Sequence, residues 1–178
     1  EVIDLLGREA GREEEISQIT SKAMRGELNF ERSLRDRVSL LEGLPISVFD
    51  KIFNFIHLTP NAQEFISILQ KNGILVGLVS GGFTPIVERL AKSLGIAYFS
   101  ANQLEVKGGF LTGKLVEQII SPQVKKETLE KWREQLKLSQ DRTVAIGDGA
   151  NDLLMLKSAG IGIAFCAKEV LKKEIPNH

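Results

Sequence analysis

A chain of 178 residues suits one domain, or a compact core with a small insertion, and 43% hydrophobic with 26% charged residues excludes a disordered composition. Lys+Arg and Asp+Glu each number 23, so the balanced charge excludes the footprint of a general nucleic-acid binder and a basic patch for anionic membranes. The longest apolar run, near residues 74–79, is far too short to span a bilayer. The single cysteine, Cys166, excludes an internal disulfide framework and points to a reducing, cytoplasmic compartment. No secretory signal opens the chain, although it begins at Glu1 and not at Met.

Up to about residue 58 everything reads as helix. Residues 8–25 are charged, with Ile16, Ile19 and Ala23 at helical spacing and Gly26 as a C-terminal stop. Asn29 caps a second helix whose stripe is Phe30, Leu34, Val38 and Leu41, with Gly43 after it. Pro45 suits the first turn of a third, carrying Val48, Phe49, Ile52, Phe53 and Ile56. These short helices are too few for an independent core and should pack on something else.

From Thr59 the pattern alternates. Thr59 and Pro60 open a helix running to Asn72, and the apolar run 74–79 suits a strand covered on both faces. A loop, Ser80-Gly81-Gly82-Phe83, leads to a helix opened by Thr84-Pro85 and closed by Gly95. Residues 96–99 form a strand, and 103–106 with 110–115 form a polar hairpin around Lys107-Gly108-Gly109. A helix over 122–138, a strand over 143–146, a helix over 151–159 and a strand over 161–165 follow. Strand and helix alternate at βαβ spacing, which predicts a doubly wound, mostly parallel, Rossmann-like α/β sheet.

Ligands in such sheets bind at the carboxyl ends of the strands. Two strand-end loops have the chemistry for it. In Val79-Ser80-Gly81-Gly82-Phe83-Thr84-Pro85, glycines allow close approach and Ser80 offers a hydroxyl beside a helix N-terminus, which suits phosphate. An ordinary βα turn accounts for that segment equally well. In Gly147-Asp148-Gly149-Ala150-Asn151-Asp152, two acids four residues apart suit Mg²⁺, which shares one or two carboxylates with phosphate and water. Capping alone needs one acid; this loop supplies two acids, an amide and two glycines.

Other residues are less pointed. Lys125 sits in a surface-like run, Val124-Lys125-Lys126-Glu127, and reads alone as solvated. Arg37 falls on the apolar stripe of its helix, so it either snorkels at the rim or pairs with an anion, and periodicity favours snorkelling. Cys166, after an apolar strand, reads as a small core residue. Trp132, His57 and His178 show no partner spacing.

The loops VSGG (79–82) and GDGAND (147–152), with a lysine between them, resemble the haloacid dehalogenase-like hydrolases. AMRGELNFERSLRDRVSLLEGLP (23–45) and AFCAK (164–168) narrow the resemblance to the phosphoserine phosphatases. GDGxND also occurs in P-type ATPases, but those need transmembrane helices.

The resemblance implies a helical cap over residues 1–58 and an α/β phosphatase core over 59–178. It implies Mg²⁺-dependent hydrolysis of O-phospho-L-serine to L-serine and phosphate through a phosphoaspartyl intermediate, the last step of serine biosynthesis. Ser80 and Gly81 would hold the phosphoryl oxygens, and Lys125 would neutralise charge on phosphoryl group and nucleophile. Asp148 and Asp152 would bind the metal, with Asn151 completing the phosphate shell. Arg37 would grip the substrate carboxylate and Glu1 its amino group, with Met24 and Phe30 packed around them. The family's nucleophile and acid/base come from D-x-D-x-T on a first strand, and no D-x-D occurs in this sequence. The family also continues beyond this chain's end with a strand and a helix. The chain therefore reads as an inactive fragment of an active enzyme, whose missing central strand should leave ladder groups and apolar faces uncovered. A phosphoserine- or phosphate-binding homologue without turnover is the alternative, as is phosphoryl transfer to another alcohol such as homoserine.

Overall fold

The structure, a computed structural model, describes all residues except Gly26, Glu117, Lys168 and His178, and leaves out the side chains of Met24 and Val170. The helix stop expected at Gly26 thus lies outside the described residues. The chain divides into two compact units, Glu1–Ile119 and Ile120–His178, each described here by itself.

The first unit opens with four short helices: α1 (Val2–Glu9), α2 (Glu13–Met24), α3 (Phe30–Ser39) and α4 (Val48–Phe53). The single helix expected over 8–25 is broken, because Gly11 takes φ 66°, a left-handed turn that separates α1 from α2. Asn29 caps α3 as expected, its Oδ1 accepting the Arg32 N–H at 2.8 Å. Pro45 does not start α4. It forms an isolated antiparallel bridge to Phe110, and the Ile46 N–H donates to the Gly109 carbonyl, so an extended chain precedes the helix.

The rest of this unit is α5 (Ala62–Lys71), β1 (Gly77–Phe83), α6 (Thr84–Ser93), β2 (Tyr98–Lys107) and β3 (Phe110–Val116). α5 starts after Asn61 at φ 65°, not at Thr59-Pro60. β1 starts later than the apolar run: Ile74 and Leu75 precede it and are exposed, and its ladder to β2 begins at Gly77. The strand and hairpin arm expected at 96–99 and 103–106 are one strand, β2, parallel to β1 and then antiparallel to β3. Leu6, Ile16, Leu34, Val38, Phe49 and Ile52 from the helices join Phe83, Ile86, Leu104 and Leu111 in one buried cluster. The four helices do pack on strands, as their small apolar area demands. Arg89 of α6 fastens α4, pairing with Asp50 at 2.8 Å and lying over the Phe53 ring at 4.3 Å.

The second unit holds α7 (Pro122–Gln135), β4 (Val144–Gly147), α8 (Leu153–Ser158), β5 (Ile161–Ala164) and α9 (Glu169–Lys172). β4 and β5 are parallel and in register from Val144↔Ile161 to Gly147↔Ala164. The helix expected from Asn151 opens as a 3₁₀ turn, Ala150–Asp152, because the Asp152 N–H reaches back to Gly149. Leu156, Leu171, Ala145 and Ala164 are buried, whereas Val144, Ile146 and Ile161 are exposed. Cys166 is exposed at φ 48°, in a turn just past β5, and is not the core residue expected. The chain is thus α/β, with two parallel strand pairs and one antiparallel pair among the described residues.

Candidate active site

In the first unit, β1 and β2 run in step from Gly77↔Tyr98 to Val79↔Ser100, after which the next pair is Phe83↔Asn102. The Ser80–Gly82 segment, expected as a loop, is therefore a bulge within a strand. Ser80 Oγ accepts the Gly82 N–H at 2.9 Å. A Cβ built on Gly81 meets no described atom within 4 Å, and its φ is not left-handed. Neither backbone nor packing requires glycine there, so its missing side chain serves an open space. Asn102, which the sequence did not single out, is 2% exposed and donates from Nδ2 to the Gly81 carbonyl at 2.8 Å. Its only outward signal is a polar residue ahead of a hairpin.

The residues expected to line the site from a helical cap lie in the same unit. Arg37 is 9% exposed, so it is buried and does not snorkel. Its Nε donates to the Ser33 carbonyl at 3.2 Å and its Nη1 to Thr20 Oγ1 at 3.4 Å, with Glu1 Oε2 3.7 Å away. Arg37 and Glu1 are thus brought together. Phe30 is exposed at the start of α3, and Met24 ends α2 with its side chain undescribed.

In the second unit, Ser121 caps α7, accepting the Val124 N–H, and Pro122 occupies the first turn. Lys125 follows on the buried face, correcting the solvated reading. Its Nζ donates to Asp152 Oδ1 at 2.6 Å, and both residues are 5% exposed. Asp152 Oδ2 accepts the N–H groups of Asp148 and Gly149, each at 3.2 Å. A Cβ on Gly147 would stand 2.5 Å from the Asp152 Cβ, so only glycine lets that side chain fold back over the turn.

The two acids of GDGAND differ in their surroundings. Asp148 is exposed, and its carboxylate accepts no hydrogen bond among the described residues. Oδ2 of Asp152 accepts two N–H groups and Oδ1 only the Lys125 ammonium, which leaves a lone pair on Oδ1 for a further ligand. Asn151 is half-buried in the 3₁₀ turn between them. Among the described residues no group of three or more His, Cys, Asp or Glu forms a metal cluster. Two hard-oxygen carboxylates still fit Mg²⁺, an ion that fills most of its shell from phosphate and water.

Residues 1–160 match the family described as haloacid dehalogenase-like hydrolase. A Streptococcus thermophilus protein named phosphoserine phosphatase is 52% identical over 176 residues, covering 99% of this chain and 82% of the relative. A structure described as a substrate-bound phosphoserine phosphatase complex superposes with TM-score 0.91 at 47% identity, covering 99% of this chain and 84% of that one. An unliganded Vibrio cholerae structure gives TM-score 0.92 at 37% identity over 98% of this chain, which spans about half (54%) of that longer one.

Proposed function

The chain belongs to the haloacid dehalogenase-like hydrolases, and from that premise we propose that it serves the hydrolysis of O-phospho-L-serine to L-serine and phosphate. The observation that carries this reading is the buried pair of Lys125 and Asp152 at the GDGAND turn. A buried ammonium is costly to keep. One held at a strand's carboxyl end beside an exposed carboxylate suits chemistry in which negative charge accumulates.

The residues divide the work. Ser80 and Gly81 bind phosphoryl oxygens, Lys125 neutralises their charge, and Asn151 completes the phosphate shell. Arg37 presents a planar fork to the serine carboxylate, and Glu1 meets the amino group. Met24 and Phe30 pack around the short substrate from the cap, residues 1–58, with 59–178 as the phosphatase core. Asp148 would hold Mg²⁺, and Asp152 would join it through the lone pair that Lys125 leaves on Oδ1. When bound, the ion supplies charge neutralisation to the phosphoryl oxygens.

Covalent transfer needs a carboxylate nucleophile. Attack on phosphorus breaks the bond to the serine oxygen, which takes a proton from a second carboxylic acid. That conjugate base then takes a proton from water, which attacks phosphorus, breaks the bond to the carboxylate and so releases phosphate and frees the nucleophile. No D-x-D pair stands in these 178 residues, so in our reading this pair lies outside them. The reaction belongs in the cytoplasm, where one cysteine persists as a thiol; among the described residues no helix is long and apolar enough to cross a membrane.

The test is phosphate and serine release from O-phosphoserine by the full-length gene product with Mg²⁺, with and without homoserine. Equal amounts of serine and inorganic phosphate, with no phosphohomoserine, support the reading. Phosphoserine left intact overturns it.

A further inference from the structure

We propose that Asn102 is a positioning residue that fixes the Gly81–Gly82 peptide and thereby sets the Ser80 hydroxyl as a donor to the phosphoryl group. The inference rests on the reading that Ser80 and Gly81 bind phosphoryl oxygens.

The bulge creates the need. Between consecutive ladder pairs, β1 advances from Val79 to Phe83 while β2 advances only from Ser100 to Asn102. The excess on β1 must leave the plane of the ladder, and its carbonyls then lose their strand partners. A carbonyl so stranded needs another donor. Asn102 answers it from the neighbouring strand, with Nδ2 2.8 Å from the Gly81 oxygen. Asn102 is itself held, since Thr84 Oγ1 donates to its carbonyl at 3.1 Å.

The Gly81 carbonyl and the Gly82 N–H belong to one peptide group. Asn102 takes its oxygen end and Ser80 Oγ takes its N–H end at 2.9 Å. The plane is therefore pinned by two side chains where a strand would use its ladder. Rotation at either end breaks both bonds, because the peptide group is rigid.

The consequence falls on Ser80. A hydroxyl has one proton and two acceptor lone pairs. With the Gly82 N–H on a lone pair, the Ser80 proton points elsewhere, and among the described residues it has no acceptor. The space over Gly81 is open. A phosphoryl oxygen entering there would meet a hydroxyl already oriented to donate. If Asn102 let go, the peptide could turn, and Ser80 would spend its proton on the freed carbonyl.

The test uses the full-length gene product. Asn102→Ala removes the donor, and Asn102→Asp replaces it with an acceptor of the same shape. Losing an oriented, charge-assisted hydrogen bond raises KM for phosphoserine and Ki for inorganic phosphate by about tenfold each. The signature is coupling: in a Ser80→Ala background, adding Asn102→Ala should raise Ki no further. A merely structural role would lower kcat with the folded fraction, leave Ki unchanged and add to Ser80→Ala; that pattern overturns the proposal. If the Asn102 variants do not melt cooperatively, Thr84→Val, which loosens only the Asn102 carbonyl, is read the same way. A roughly twofold rise in Ki is then expected, and an unchanged Ki counts against Asn102. A protein that binds phosphate without hydrolysing phosphoserine would defeat the function proposed above, and Asn102 would be scored by the phosphate dissociation constant. A protein that binds no phosphate overturns both.

Discussion

Lys125 Nζ stands 2.6 Å from Asp152 Oδ1, and the two side chains are each 7% exposed although 27 positions separate them in sequence. The pair joins the first turn of α7 to the GDGAND turn, and the other oxygen of Asp152 holds two backbone N–H groups of that turn. Removing one partner leaves the other as an uncompensated buried charge. Lys125→Met should therefore cost about 3–5 kcal/mol of stability in a denaturant melt. Combining it with Asp152→Asn should recover part of that loss and none of the activity. A Lys125→Met melt within 1 kcal/mol of wild type would show that the pair is not closed in solution.

Gly147 and Gly81 should respond oppositely to alanine. At Gly147 the new methyl would stand 2.5 Å from the Asp152 Cβ, so the turn must open and the Lys125 pair with it. Gly147→Ala should lower the melting temperature and abolish turnover. At Gly81 nothing described lies within 4 Å. Gly81→Ala should leave stability unchanged, or gain about 0.4–1 kcal/mol through a less flexible unfolded chain, while phosphate affinity falls. A Gly81→Ala protein with wild-type phosphate affinity would remove that open space from the binding site.

The sequence was most legible where local chemistry is unusual. The β–α alternation and the GDGAND turn follow from periodicity and turn residues, as does the Asn29 cap, whereas the glycines after Val79 form a bulge that turn residues alone do not distinguish from a loop. Lys125 and Arg37 were opaque for a shared reason: each is a buried cation whose partners lie elsewhere in the chain. Lys125 lies in a run that is mostly charged and needs Asp152 to be stable inside; Arg37 needs Thr20 and the Ser33 carbonyl. Asn102 was hidden because the bulge it serves is in another strand, 21 positions away. The break at Gly11 is a backbone choice that helical spacing on both sides conceals. Cys166 looked like core because it follows an apolar strand, but the chain has already turned there.

Metal dependence should trace to Asp148. Its carboxylate is exposed and accepts no hydrogen bond among the described residues, so Asp148→Asn should leave the melting temperature within about 1 °C of wild type. Its Mg²⁺ requirement should rise by at least about tenfold, since an amide replaces a charged ligand. Titrating EDTA-treated protein with Mg²⁺ while following phosphate release measures this. An unchanged half-saturation would assign the metal elsewhere.

The β2–β3 hairpin carries a pH signature of its own. The Thr112 hydroxyl donates to Glu105 Oε2 at 2.5 Å and, with Lys107 and Lys114 nearby, holds the Glu105 carboxyl below its ordinary value against the opposing desolvation. A depressed folded value contributes stability above the unfolded pKa and loses it as pH falls through the folded one. Thr112→Val should move the Glu105 titration back up towards the usual carboxylate range. Side-chain carboxyl NMR shifts against pH read this directly, and an unmoved midpoint would remove the hydroxyl as the cause.

On the proposed assignment, Arg37 separates substrate recognition from phosphate chemistry. Its guanidinium is oriented by the Ser33 carbonyl and Thr20, with Glu1 Oε2 at 3.7 Å. Lysine keeps the charge but not the fork, so it cannot reproduce a bidentate grip on a carboxylate. Arg37→Lys should raise KM for phosphoserine by about 10- to 100-fold, in line with losing one charged hydrogen bond. Ki for inorganic phosphate should not move, because phosphate has no serine carboxylate to hold. Phosphoethanolamine, which lacks that carboxylate, should be hydrolysed equally poorly by wild type and variant. If Arg37→Lys weakened phosphate and phosphoserine alike, Arg37 would act on the phosphoryl group, and the carboxylate would need another partner.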